Sequence, residues 1–129
     1  MLLTWQPLAG NEWIEQIAIA LAAGRPPRIP PPGAGPFALS QPDHISDVLG
    51  RAGFGDVQIV SSEAPIWFGA DADEAFDFIT GLMGWMLEGL DDDGRTAALE
   101  ALRATTVAHA TPIGVTFASA TWLTTARIN

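Results

Sequence analysis

The feature that most constrains this chain is the run Arg25-Pro26-Pro27-Arg28-Ile29-Pro30-Pro31-Pro32-Gly33-Ala34-Gly35-Pro36, six prolines in twelve positions. Proline fixes φ and has no N–H, so neither a helix interior nor a central strand can cross such a run. The run predicts an extended, semi-rigid connector over 25–36 and forces the residues on either side into separate elements. A polyproline ligand for a partner is the other use of such a composition.

On the N-terminal side, the apolar residues up to Trp5 end at Pro7 and predict a strand, followed by the loop Pro7-Leu8-Ala9-Gly10. Asn11 is a suitable N-cap, Glu12 and Glu15 suit a helix start, and Trp13, Ile17 and Leu21 recur at helical spacing, with Gly24 as the stop. On the other side, Ser40 and Asp43 have capping-box spacing, and Ile45, Val48, Leu49 and Ala52 fall at i, i+3, i+4 and i+7. Gly53 suits a left-handed helix end. Val57 and Ile59 then alternate with polar residues, which predicts a strand running on to Phe68 with an irregularity at Pro65.

A helix is predicted from Asp71 onward, with Phe76, Ile79, Met83, Met86, Leu87 and Leu90 in period and Gly81, Gly84 and Gly89 weakening it. Asp91-Asp92-Asp93 suits the charged start of a fourth helix that carries Leu99 and Leu102 and ends near His109. A β-rich tail follows Thr111-Pro112-Ile113-Gly114. Strands alternating with helices predict an α/β fold. The length of 129 residues matches one domain spanning 1–129, and 48% hydrophobic against 16% charged residues can form a core.

Fifteen acidic residues against six basic ones give a net charge of −9, and every basic residue is an arginine. That balance repels nucleic-acid backbones and anionic membrane surfaces. The absence of lysine removes Schiff-base chemistry and the lysine of a phosphate loop, and the absence of cysteine removes thiol and cysteine–metal chemistry. Met1–Trp13 shows no basic stretch followed by an apolar core, and no apolar run reaches membrane-spanning length, so no signal peptide or span is read and a cytoplasmic location is expected.

Candidate chemistry is sparse. Gly33-Ala34-Gly35-Pro36-Phe37-Ala38 fits a dinucleotide fingerprint in letters, but prolines stand where the preceding strand belongs. Three consecutive acids at 91–93 point in different directions and suit a helix start better than a cation. His44 and His109 have no partner at metal-ligand spacing, so no metal site is expected, and no catalytic residue is assigned. Trp5 and Trp13 flank the strand-to-helix loop that carries Gln6, Asn11 and Glu12. Flat apolar groups mixed with hydrogen-bonding groups at a strand end suit ligand binding, while plain packing is the commoner role for such tryptophans.

Four segments occur in a distinctive order: Thr4-Trp5-Gln6-Pro7-Leu8-Ala9-Gly10-Asn11-Glu12-Trp13, then Gly35-Pro36-Phe37-Ala38-Leu39-Ser40, then Ala52-Gly53-Phe54-Gly55-Asp56-Val57, then Ala120-Thr121-Trp122-Leu123-Thr124-Thr125-Ala126-Arg127. Together they resemble the C-terminal part of class I S-adenosylmethionine-dependent methyltransferases of the ubiquinone/menaquinone-biosynthesis type, across essentially the whole chain. The resemblance implies the end of a Rossmann-like fold whose mostly parallel, seven-stranded sheet finishes in an antiparallel pair. Residues 1–5 would end the fifth strand, 56–68 form the sixth and 115–128 the seventh, with helices over 71–109 inserted between the last two as a cover.

The family's Gly-rich loop and ribose-binding acid belong to its first four strands, which would precede residue 1. The chain is therefore expected to be an incomplete methyltransferase-like domain, inactive alone and binding no S-adenosylmethionine by itself. Trp5, Gln6, Asn11, Trp13 and Phe37 become candidates for contact with a small methyl acceptor. The alternative is a non-catalytic interaction module that dimerises through an exposed sheet edge.

Overall fold

The structure is a computed structural model that describes residues 1–128. In order it contains β1 (Leu2–Trp5), α1 (Glu12–Ala22), α2 (Pro42–Arg51), β2 (Phe54–Gly69), α3 (Ala72–Met83), α4 (Asp92–Ala108), β3 (Ala110–Thr111) and β4 (Gly114–Ile128), with short 3-10 turns at Leu8–Gly10, Gly35–Phe37 and Gly84–Leu87. The four strands form one antiparallel sheet in the order β1-β4-β2, and β3 pairs with the start of β4. The fold is thus mixed α/β. Contacts divide the chain into two compact units built from discontinuous segments.

The first unit comprises Met1–Asn11, Pro30–Ala64 and the chain from Ala118 on. Leu2 pairs with Thr124 and Trp5 with Thr121, which fixes β1 in antiparallel register on β4. The 3-10 turn Gly35–Phe37 packs against β1, Phe37 is buried, and the Thr4 hydroxyl donates to the Leu39 carbonyl at 2.9 Å. The connector of 25–36 therefore ends in an ordered turn that places an aromatic ring in the interior. Gly33-Ala34-Gly35 opens onto three helical residues with no strand before it, so no dinucleotide loop is built.

The capping box expected at Ser40–Asp43 does not form. Helix α2 begins at Pro42 with Gln41 as an extended N-cap that makes no side-chain cap bond. Proline suits the first helical position because its missing N–H is an orphan there anyway, and it holds the residue before it extended. Ser40 is buried, and its carbonyl accepts the Trp122 indole N–H at 2.8 Å. Ile45 is the residue α2 buries fully, while Val48 stays exposed. The helix ends as expected, with Gly53 at φ +93°.

Strand β2 is longer than expected and runs straight through Pro65. It lies at an end of the strand order, where a residue without an N–H leaves no partner unsatisfied. The irregularity sits instead at Asp56, which adopts φ +52°. Aspartate tolerates that region better than most residues with a Cβ.

The second unit comprises Glu12–Ile29 and Pro65–Phe117. Helix α1 packs on α4 and on the 3-10 turn Gly84–Leu87, and α3 packs on both of these as well. Ile17 and Leu21 of α1, Ile79 of α3, Leu102 of α4 and Phe117 of β4 form the dry centre of one cluster. Fully burying a side chain of this kind stabilises by about 1.5–3 kcal/mol. The Phe68 and Phe117 rings meet edge to face with centroids 5.2 Å apart, a preferred aromatic geometry.

Both acidic helix starts form. Asp71 accepts the Glu74 N–H at 2.9 Å while Glu74 accepts the Ala70 N–H at 3.2 Å, and Asp91 accepts the Gly94 N–H at 2.7 Å. The glycines divide the expected long helix, which stops at Met83 and continues as the 3-10 turn. Arg25 and Arg28, at the head of the proline run, hold the end of that turn. Arg25 donates to the carbonyls of Ala22, Met86 and Glu88 at 3.0–3.2 Å, and Arg28 to those of Glu88 and Trp85 at 2.8 and 3.4 Å. Guanidinium donors thereby reach the Met86 and Glu88 carbonyls at the end of the turn.

Candidate functional site

The loop after β1 is built by backbone and side-chain bonds together. The Gln6 N–H donates to the Ala120 carbonyl at 2.9 Å, extending the ladder one residue past the strand. The Gln6 side-chain amide donates to the Ser61 hydroxyl at 2.7 Å and to the Thr121 carbonyl at 2.8 Å. Beyond Pro7 the chain turns in a 3-10 turn, with the Asn11 N–H on the Leu8 carbonyl at 2.8 Å. A Cβ on Gly10 would lie 2.8 Å from Ala120 Cβ, so only glycine lets the turn approach β4 this closely.

Asn11 fastens the loop. It is fully buried; its Nδ2 faces the carbonyls of Gln6, Pro7 and Ala120 at 2.8, 3.2 and 3.3 Å, and its Oδ1 accepts the Ala120 N–H at 3.0 Å. Both ends of the amide are engaged with backbone, so this side chain shapes the loop. Phe37, at 2% exposure, likewise belongs to the interior of its unit. Trp5, Gln6 and Trp13 keep partly exposed surface. Trp5, Gln6, Asn11 and Phe37 lie in the first unit, and Trp13 packs on the hydrophobic core of the second.

The second unit holds a contact that no spacing rule reveals. His109 Nε2 lies 3.3 Å from the Glu12 carboxylate, His109 Nδ1 lies 2.9 Å from the Thr105 carbonyl, and the ring stacks on Phe117 with centroids 4.1 Å apart. Both ring nitrogens therefore face protein oxygens. This holds β4, α4 and the start of α1 together and leaves neither nitrogen positioned as a base for a bound molecule. His44 is exposed on the first turn of α2.

Among the described residues no group of three or more potential ligands gathers to hold a metal ion. No helix among them is long and apolar enough to cross a membrane. No protein-family model matches the chain, and no curated protein matches it.

Proposed function

We propose that this chain is the acceptor-side, C-terminal part of a cytoplasmic S-adenosylmethionine-dependent methyltransferase that transfers a methyl group to a small acceptor. The observation that carries this reading is the succession and pairing of elements. A strand ends at Trp5, a helix leads into β2, two helices follow, and β4 returns antiparallel beside β1. The order of these elements is the one the resemblance implies for residues 1–5, 56–68, 71–109 and 115–128.

The glycine run of this chain does not fit the cofactor's binding loop. The glycine run at 33–35 lacks the strand before it and the full helix after it that would converge backbone N–H groups on an anionic or zwitterionic ligand. In such enzymes the cofactor carries the reactive methyl, and the protein supplies binding and orientation. Within this chain that work falls to the strand-end loop. Gln6 and Asn11 hold its backbone rigid, and Trp5 offers flat apolar surface for an acceptor.

Titration calorimetry of the 129-residue chain with S-adenosylmethionine is expected to show no binding heat, and micromolar binding would overturn the assignment of the cofactor to another part. The reading frame 5′ to Met1 provides the second arm. Its in-frame product is expected to contain a strand followed by a Gly-rich loop and to transfer methyl groups. In that product Trp5→Ala should raise KM for the acceptor about tenfold, the worth of one aromatic contact, without changing cofactor affinity. A frame without the Gly-rich loop, or a Trp5→Ala effect on the cofactor alone, contradicts the reading.

A further inference from the structure

The layer between α2 and the sheet is closed at one end and open at the other. Ile45 of α2 is fully buried, whereas Leu49, one helical turn on and on the same face, is half-buried. Beyond Ile45 a half-open cleft of about 210 Å³ is lined by Met1, Leu2, Leu49, Phe54, Thr124 and Ala126, all within the first unit. Leu2 pairs with Thr124 across the ladder and Ala126 follows Thr124 by two residues, so these three side chains share one face of the sheet. Leu2, Phe54 and Ala126 are half-buried like Leu49. The cleft lies at the start of β1, the end opposite the loop that follows Trp5.

The chemistry of this lining selects its occupant. Apart from Thr124 every lining side chain is apolar, and none is charged. Thr124 is 1% exposed, and its hydroxyl has no hydrogen-bond partner among the described residues. A buried hydroxyl without a partner costs stability, and valine would fill the same place in the sheet without that cost. Water is a poor remedy, since a trapped water needs two to four polar partners and this lining offers one polar side chain. A small neutral ring with a single hydroxyl meets both demands: the ring covers the apolar walls, with Phe54 among them, and the hydroxyl pairs with Thr124. An apolar cavity of about 150 Å³ holds benzene, so by proportion this cleft suits on the order of eight non-hydrogen atoms. Met1 is 93% exposed and unbranched, the lining side chain that moves aside most easily to admit a ligand to Thr124.

We propose that this cleft is a binding site for a small neutral phenol, with Thr124 as the residue that recognises the hydroxyl. The site is separate from the acceptor loop and does not depend on the methyltransferase reading.

Backbone amide NMR of the 129-residue chain, titrated with 4-methylphenol, tests this. The amides of Leu2, Leu49, Thr124 and Ala126 are expected to shift together and saturate with a dissociation constant of about 1 mM. Thr124→Val is expected to weaken 4-methylphenol about fivefold, the worth of one hydrogen bond. The same variant should hold p-xylene, which has the same shape with a methyl in place of the hydroxyl, as well as the parent protein does or better. Ala126→Leu, which fills the cleft, should abolish binding of both compounds while amide shifts elsewhere in the protein stay unchanged. Absence of saturable shifts at these amides up to about 10 mM, ten times the expected constant, would overturn the proposal. So would shifts centred outside the cleft, or a Thr124→Val loss that is absent for 4-methylphenol or equal for the two compounds.

Discussion

Asn11 shows how one side chain can occupy the place of a binding residue and serve the fold. Its type, position and polar neighbours are those of a ligand contact, yet its amide lies inside, bridging Gln6 and Pro7 to Ala120 of β4. Asn11→Ala would remove the bonds to the buried Ala120 N–H and the Gln6 carbonyl, so a loss of about 2 kcal/mol is expected in urea unfolding. Thr124 is the opposite case. Its hydroxyl is buried without a hydrogen-bond partner among the described residues. Thr124→Val keeps the shape and removes the orphan oxygen, and thermal unfolding should show a gain of about 1 kcal/mol.

Helix boundaries follow local chemistry where that chemistry is unopposed. Asp71 and Asp91 cap α3 and α4 as their acidic runs suggest, since a carboxylate beside free N–H groups needs no tertiary help. Asp71→Ala and Asp91→Ala should each cost about 1 kcal/mol of stability, while Asp93→Ala, in the same acidic run but making no cap bond, should stay within about 0.5 kcal/mol. Ser40 had an equally suitable spacing and does not cap α2, because Pro42 sets the helix start. The Pro65 irregularity failed for a related reason, the position of β2 at the end of the sheet, which spacing along the chain does not encode. Arg25 and Arg28, at the head of the proline run, act as the clamp on the 3-10 turn after α3.

Charge acts on the protein as a body. Among the described residues, Arg51–Asp47, Arg103–Asp73 and Arg127–Asp56 pair at solvent-exposed positions. Pairs of this kind contribute about 0–1 kcal/mol each, and salt weakens them. Against them stands the self-repulsion of a net −9, which salt also screens. The repulsion acts among all the acids and should win, so the melting temperature is expected to rise between low and moderate sodium chloride. A fall would show that the ion pairs matter more than their exposure suggests.

Strands, helices and their ends could be read from the letters because they answer to interactions within a few residues: proline and glycine punctuation, acidic caps and apolar period. The same holds for the chemistry that is missing, since no arrangement creates a thiol or a lysine side chain the sequence does not contain. Side-chain roles could not be read that way. Asn11 and Ala120 are distant in sequence and bonded in space, and so are Glu12 and His109. Phe78, Leu82 and Trp85 share a helical period with a core stripe and face water instead. Period tells which residues share a face, and packing against other elements determines which face is buried.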